Sequence, residues 1–408
     1  MKITIICHDI PYPHNHGGRV DMWRRIQAFA KFKVDLQLIC WVKNQPSTQD
    51  ILQMRKYVND IYFINYSKGL KYFIQRLFDL HRYPLEVTSR IVKGQKLTDV
   101  LSRVNEFHPD IVWLDGLHGA ELAFKISKHL TLPIFTRSHN IEHLYYQRLL
   151  NSAKGMDKIK RYLSLVNLKQ YESYVLQNSK LFYDISVEDL TYWQNNGLRN
   201  GRYLPPIIEK VEIGASKVPL SLSRESSNLA YDIVFLGNLF ANNNVASIEW
   251  FITQVLPIIR SQIPSVKVLI AGANPVLKIK QLCERNEGVE LKINPTSVEE
   301  IYSSGKVLIN PACTGSGVSI KSIEMLTYGR PIVSTPQGVC GLPEITSQYF
   351  EIANDAQSFA QKAIDCLLNR SVAKTDSKLL EQLFGSNCIQ EVIHDVNSYI
   401  QNSTLAIH

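Results

Sequence analysis

Residues 310–335 read N-P-A-C-T-G-S-G-V-S-I-K-S-I-E-M-L-T-Y-G-R-P-I-V-S-T. A β-branched run, Val307–Ile309, leads into Asn310. Thr314, Gly315, Ser316 and Gly317 then make a turn, Ser319–Tyr328 has helical spacing, and Pro331–Ser334 restarts a strand. Strand, glycine turn, helix and strand in this order are the grammar of a parallel α/β sheet. Glycines let the backbone approach a ligand closely, and a helix start offers free N–H groups and a positive dipole end to a phosphate. Lys321 and Glu324 lie three apart and so share one helix face, opposite a core-facing stripe of Ile320, Ile323 and Leu326/Thr327. Such a pair can divide a nucleotide between them, Lys321 taking phosphate and Glu324 the ribose hydroxyls. A surface ion pair worth ~0.2–0.5 kcal/mol is the plainer reading of the same spacing.

The same grammar extends in both directions. Back towards the start of the chain's second half, it runs through strands at Asp232–Leu236, Val266–Ala271 and Val289–Ile293. Between them lie helices at Val245–Arg260 (bent near Pro257), Pro275–Arg285 and Ser297–Ser303. In the first half, strands are expected at Lys2–Ile6, Val34–Cys40, Ile61–Ile64, Ile111–Leu114, Pro133–Thr136 and Leu181–Ile185. A helix at Val20–Phe32 follows Gly17-Gly18, and one long helical stretch covers Ile141–Asn178. The polar run after Pro205-Pro206 reads as a linker, which divides the chain into residues 1–206, a linker at 207–230 and residues 231–388.

The chain has 408 residues with 45 Lys+Arg against 37 Asp+Glu, a net charge of +8. Residues 1–205 hold 29 basic and 18 acidic side chains, net +11, and the remainder is net −3. The excess positive charge therefore belongs to the first half and suggests an anionic partner there, or simply a basic, soluble surface. No apolar run approaches the ~20 residues of a membrane span, and MKITIICHDI reads as a first buried strand in place of a signal peptide. Seven cysteines without C-x-x-C spacing point to reduced thiols in the cytoplasm, not to a disulfide framework or a zinc site. The histidines near strand ends, His14, His16 and His118, have no metal-ligand spacing, so no metal is expected.

These motifs together resemble the retaining glycosyltransferase family 4 and its relatives of GT-B fold. That family's donor motif has two Glu residues eight apart. The second matches Glu324, the strand that follows matches Gly329–Thr335, and the first is replaced by Ser316. The loop G-S-G-V-x-x-K-x-x-E, with Gly338–Leu342, resembles one branch of the family. The resemblance implies two Rossmann-like domains whose parallel sheets face each other across a cleft, with residues 389–408 crossing back to the first domain. It makes Gly17 and Gly18, within Pro11–Arg19, the diphosphate and donor-sugar loop, and makes Gly237 and Asn238 the end of the donor domain's first strand. Gly315, Ser316, Gly317, Val318, Ser319, Lys321 and Glu324 complete the donor site. Many members carry Arg and Lys after that first strand. This chain has Asn238 and Asn242–Asn244, which moves the neutralisation of phosphate to Lys321, helix dipoles and Arg19. Thr136–His143 matches the position of a sugar-contacting His, here His139, which joins Lys321 and Glu324 as catalytic candidates. His16, Asn140 and Glu142 are acceptor-side candidates, Glu142 alternatively capping the helix that follows.

The activity so implied is sugar transfer from a UDP- or GDP-linked sugar to a hydroxyl acceptor, with retention and with no cofactor besides that co-substrate. Bacterial polysaccharide or glycolipid assembly at the inner face of the membrane would be its setting, with a lipid-linked glycan as acceptor. A catalytically silent subunit of a partner glycosyltransferase and a nucleotide-sugar epimerase are the alternatives. Nucleic acid is not expected as a partner, because the basic residues are not interleaved with an aromatic platform and the second half is acidic. Residues 66–90 mix Leu70, Phe73, Ile74, Leu77 and Phe78 with Lys68, Lys71, Arg76 and Arg82. That pattern suits a helix lying on anionic lipid and equally a core-packed helix with a solvated basic face.

Overall fold

The computed structural model describes residues 1–14, 17–66, 69–208, 229–314, 317–369 and 375–405. The chain forms two compact units, Met1–Ile207 with Ser386–His408, and Ile208–Gly385.

The first unit is built on a seven-stranded sheet in the order β3-β2-β1-β4-β5-β6-β7. Its strands are β1 Lys2–Cys7, β2 Asp35–Val42, β3 Asp60–Asn65, β4 Ile111–Asp115, β5 Ile134–Ser138, β6 Leu181–Asp184 and β7 Gly201–Tyr203. Every pairing is parallel. Both faces are covered, so the strands read as near-continuous apolar runs. One face packs Ile3, Ile5, Phe29, Trp113 and Phe135, and the other Ile6, Trp41, Val112, Leu114 and Phe182. The Cys388–Leu405 helix belongs to this unit: Ile389, Val392 and Val396 enter its core, and Tyr183 donates its hydroxyl proton to Asp395 at 2.8 Å. The order in which strands are added reverses at β1, which pairs with β2 on one side and β4 on the other. In such sheets ligands bind outside the carboxyl ends of the strands at that switch point.

The second unit repeats the plan with six strands in the order β10-β9-β8-β11-β12-β13. They are β8 Tyr231–Leu236, β9 Val268–Gly272, β10 Val289–Ile293, β11 Gly305–Asn310, β12 Ile332–Ser334 and β13 Glu351–Ile352, all parallel. The switch point lies between β8 and β11. The helix expected over Val245–Arg260 is Asn242–Trp250 and Leu256–Gln262 joined by a π-turn at Phe251–Val255, directly before Pro257, which has no N–H to continue an α-helical ladder.

Three expectations need correction. The single helix over 141–178 is three helices, Glu142–Ser152, Gly155–Leu165 and Leu168–Gln177. Lys154 is extended, and Gly155 (φ +55°) and Asn167 (φ +60°) adopt left-handed backbone that an α-helix cannot absorb. The first part also ends in an edge strand that was not among the expected ones, β7 at Gly201–Tyr203. The linker's residues 209–228 lie outside the described residues, and Ile208 already belongs to the second unit, its N–H donating to the Phe384 carbonyl at 2.8 Å. The donor helix is Ile320–Leu326, three residues shorter than Ser319–Tyr328. Gly329 (φ +59°) turns the chain just before Pro331, so less helix dipole stands behind the glycine loop than expected.

Candidate functional site

At the switch point of the first unit, β1 ends in Cys7 and β4 in Asp115, paired in register, and Asp115 is paired in turn with Arg137 of β5. The Gly17–Lys31 helix crosses this edge and brings Asp21 and Arg25 inward on one face. The four charged side chains form a closed, buried set. Arg25 bonds Asp21 at 2.7 Å and Asp115 at 2.6 Å, and Arg137 bonds Asp21 at 3.1 Å. Two carboxylates and two guanidinium groups cancel, which is the condition under which charge survives burial. Burial alone would raise the Asp115 carboxyl, yet Arg25 and His139 hold it well below the usual carboxylate range. Asp21 is likewise lowered against its burial, by Arg137 and Arg25.

His139 sits at the rim of this set. Its Nε2–H donates to Asp115 at 2.7 Å, and Nδ1 is 3.5 Å from an Asp21 oxygen. Both ring nitrogens thus face carboxylates, so His139 is clamped and not simply presented as a free hydrogen-bonding group. Asp115 also orders a second histidine, since its backbone carbonyl accepts His8 Nδ1–H at 3.1 Å. Burial, then Arg90 and His139, push His8 down to about 4, so its ring is neutral at pH 7 and Nε2 carries a lone pair. Gly116, at φ +77°, makes room for it: a Cβ there would lie 2.6 Å from His8 Nδ1. His118 is half-buried; burial chiefly pushes its ring well below the ordinary value, and its buried Nε2 has no partner among the described residues.

Gly17 and Gly18 occupy the exposed first turn of their helix, where backbone N–H groups have no intrahelical acceptor. Arg19 does not supply a spare cation to that turn, because it is paired with Asp9 at 2.9 Å. His16 lies outside the described residues. Asn140 and Glu142 stand at the start of the Glu142–Ser152 helix, but the capping carboxylate is Glu172, which accepts the N–H of Glu142 at 2.7 Å and of His143 at 3.3 Å. His143 Nδ1–H also donates to Glu172, at 2.6 Å.

Burial pushes Glu142 up to about 8, with Glu172 adding to it, and burial pushes Glu172 itself up to about 8. Carboxyls raised in the fold stabilise it fully below their unfolded values near 4.5 and lose that contribution as pH rises through about 8. His143, lowered to about 4 by burial, has the opposite slope, but it is finished above its unfolded value of 6.5. The Glu172→Gln variant should therefore lose less stability than the wild type between about pH 6.5 and 8. Urea unfolding across that interval checks this, and parallel curves would contradict it.

In the second unit, β8 runs out through Gly237 and Asn238, and β11 through Asn310. Asn238 Oδ1 accepts the Phe240 N–H at 2.9 Å, and its carbonyl accepts Asn244 Nδ2–H at 2.9 Å. Asn244 Oδ1 in turn accepts from Lys321 Nζ at 3.0 Å, which lies 4.6 Å from the Phe235 ring centroid. Burial pushes Lys321 down to about 7. Asn310 fastens the helix that carries Lys321: its Nδ2 donates to Ser319 Oγ at 3.0 Å, Ser322 Oγ at 2.7 Å and the Gly338 carbonyl at 3.2 Å. Gly338 must be glycine here, because a Cβ would stand 2.2 Å from Ser334 Oγ and 2.8 Å from Asn310 Nδ2. Gly317 takes φ +63°, Val318 packs on the core, and Glu324 is partly exposed on the Lys321 helix. Gly315 and Ser316 lie outside the described residues.

Residues 230–369 match the family of group 1 glycosyl transferases. That match falls within the second unit. Over the whole chain the fold is that of the GT-B glycosyltransferases. HepE of Anabaena, solved in complex with UDP, superposes with a TM-score of 0.66 at 12% identity, covering 98% of this chain and 100% of that one. A glycosyltransferase from Rickettsia africae gives 0.65 at 11% identity and covers 98% of each chain. In sequence, an uncharacterized 44.6 kDa protein in the cps region of Klebsiella pneumoniae is 26% identical over 388 residues, 91% of this chain and 92% of that one.

In this unit the structure places Gly237, Asn238, Gly317, Ser319 and Lys321, the candidates named from the sequence, at one edge of the sheet. Sequence reasoning did not single out Asn310 or Ser322, nor Phe235 and Asn244 as partners of Lys321. In the first unit it missed Asp21, Arg25, Asp115, Arg137 and His8. His8, Asp115 and Arg137 lie just beyond runs expected as strands, so the usable signal for those three was a charge or histidine where an apolar element ends.

Proposed function

We infer that this protein transfers a sugar from a nucleoside diphosphate sugar to a hydroxyl acceptor. What carries the reading is Lys321. Among the described residues it bonds a neutral amide and pairs with no carboxylate; it lies on the helix behind the glycine turn, in the unit that matches group 1 glycosyl transferases. An ammonium without a carboxylate in that position suits a diphosphate, whose charge on departure must be met by preorganised donors. Glu324 on the same helix is the residue for the ribose hydroxyls. Gly17 and Gly18 offer amides, and His139 and the neutral His8 are the first unit's polar groups for a sugar or acceptor hydroxyl. Transfer with retention, the leaving phosphate taking the acceptor proton, follows the family resemblance. HepE is a complex with UDP, with UDP-glucose in a further structure, which favours a uridine-linked donor. The cps-region relative favours a role in polysaccharide assembly, and the net +11 of residues 1–205 favours an anionic or phosphate-linked acceptor presented at the cytoplasmic face of a membrane.

A thermal-shift series of UDP- and GDP-linked sugars tests the reading. A true donor at ~100 times its dissociation constant adds ~2.7 kcal/mol of stability. Glu324→Ala should remove that shift. If no nucleotide sugar stabilises the protein, the reading fails.

A further inference from the structure

Asp9 follows the end of β1, and Arg19 comes directly after Gly17 and Gly18 in the first turn of the Gly17–Lys31 helix. The two side chains meet as a fork. Arg19 Nε donates to Asp9 Oδ2 at 3.0 Å, and Nη2 donates to Oδ1 at 3.0 Å and to Oδ2 at 2.9 Å, while Nη1 reaches the Pro13 carbonyl at 3.4 Å. The Nε–Nη2 edge of a guanidinium is an edge that docks two anionic oxygens side by side, on carboxylate or on phosphate. Asp9 fills that edge, so a phosphate that uses it has to displace the carboxylate.

Displacement is within reach because water touches both partners. The Arg19 side chain is 19% exposed and that of Asp9 33%, against 2% each for Arg25 and Asp115 in the same unit. A partly exposed pair is held weakly, whereas opening a buried one strands a charge in the interior. Asp9 also keeps a partner when the arginine leaves, since its Oδ1 accepts the Ile10 N–H at 2.8 Å. The first turn of the helix contains no acidic side chain of its own. The carboxylate that meets Arg19 is thus brought in from the β1 side.

We propose that Asp9 is a displaceable counter-anion that sets which ligands reach Arg19: it holds the guanidinium in the free protein, yields it to a phosphate oxygen of a nucleoside diphosphate, and takes it back when that ligand leaves. One arginine–carboxylate contact opens and one arginine–phosphate contact forms, with no proton moved. A ligand without an anionic oxygen to offer cannot open the pair. A bound nucleoside diphosphate competes with Asp9 throughout its stay, which speeds its release after transfer. Asp9 is a specificity-determining residue here and touches no reacting atom. The proposal rests on the reading of the Gly17–Gly18 turn as a diphosphate site.

Isothermal titration of the full chain with UDP tests the exchange. Asp9→Asn keeps the size of the side chain and the acceptor for the Ile10 N–H, and loses the charge that holds Arg19. UDP should bind this variant about three- to tenfold more tightly than the wild type, and stopped-flow displacement should show most of the gain as slower release. Arg19→Gln should weaken UDP. In Asp9→Asn/Arg19→Gln the gain from the first substitution should shrink to less than about twofold, because no guanidinium is left to free. If the pair only ties the loop shut, the sign reverses: Asp9→Asn loosens residues 9–19 and UDP binds more weakly. Equal or weaker UDP binding by Asp9→Asn would overturn the proposal and leave the donor reading standing. An undiminished gain in the Arg19→Gln background would also overturn it, in favour of plain repulsion between Asp9 and the ligand. UDP bound by neither the wild type nor Asp9→Asn would defeat the donor reading and the proposal together.

Discussion

Replacing Asp115 by Asn is expected to cost about 3–5 kcal/mol of folding stability, the usual penalty for removing one partner of a buried ion pair. The carboxylate accepts Arg25 at 2.6 and 3.2 Å and His139 at 2.7 Å, and the residues at both ends of the Asp115–Arg25 pair are almost wholly buried. Asparagine keeps the size but not the charge. It leaves the interior with two guanidinium groups against one carboxylate, and it turns an NH2 donor towards either Arg25 or His139, which are donors themselves. For a unit of this size that loss lowers the thermal midpoint by roughly 6–20 °C. The double variant Arg25→Met/Asp115→Leu should recover most of the loss, because it leaves Asp21 and Arg137 as a balanced pair and fills the volume with apolar atoms. Transfer activity should not recover with it, because His139 still lacks its acceptor. Calorimetry on the two variants checks the first half, and a donor-turnover assay on the double variant checks the second. A midpoint for Asp115→Asn within a degree of the wild type would show that the set is not energetically closed.

This charge set is also where the sequence was least legible. Asp21 and Arg25 sit four apart on a helix and look like a surface pair. Their other partners are far away in the chain, Asp115 at 90 residues from Arg25 and Arg137 at 116 from Asp21. Nothing local distinguishes a buried i,i+4 pair from a solvated one. The sheets were legible for the opposite reason. Parallel strands buried on both faces need uninterrupted runs rich in β-branched and other apolar residues, such as Ile3–Ile6 and Val307–Ile309, and no partner need be known to recognise them. The edge strands Gly201–Tyr203 and Glu351–Ile352 escaped because a strand of two or three residues at a sheet margin carries no such run. The breaks at Gly155 and Asn167 carried a signal, since glycine and asparagine are the residues that accept left-handed backbone, but helical spacing on either side outweighed it. The donor loop was legible through its glycines and Lys321. The network that aims Lys321 was not, because Asn244 and Asn310 look like ordinary turn residues until β8 and β11 are placed side by side.

Lys321 yields the second large effect, a pH-dependent affinity for the donor. In the free protein burial holds the ammonium at about 7, with Asn244 as its hydrogen-bond acceptor and Phe235 beneath it. A diphosphate favours the charged form, so binding above pH 7 must draw a proton from solvent. The affinity is then flat below about pH 7 and falls by about tenfold per unit above it, until the value in the complex is reached. Isothermal titration with UDP at pH 8 in buffers of different ionisation enthalpy should show uptake approaching one proton. Lys321→Met separates binding from folding. It removes an ion that burial disfavours, so the midpoint of the free protein holds or rises, while the loss of one charged hydrogen bond, about 1.5–3 kcal/mol, weakens UDP by roughly 10–150-fold. Lys321→Arg keeps the charge at every accessible pH and should flatten the profile even if its fit lowers the affinity overall. A wild-type affinity constant from pH 6.5 to 9 would remove Lys321 from the phosphate site. A flat profile in Lys321→Arg beside a falling one in the wild type would assign the titrating group to this side chain and to no other.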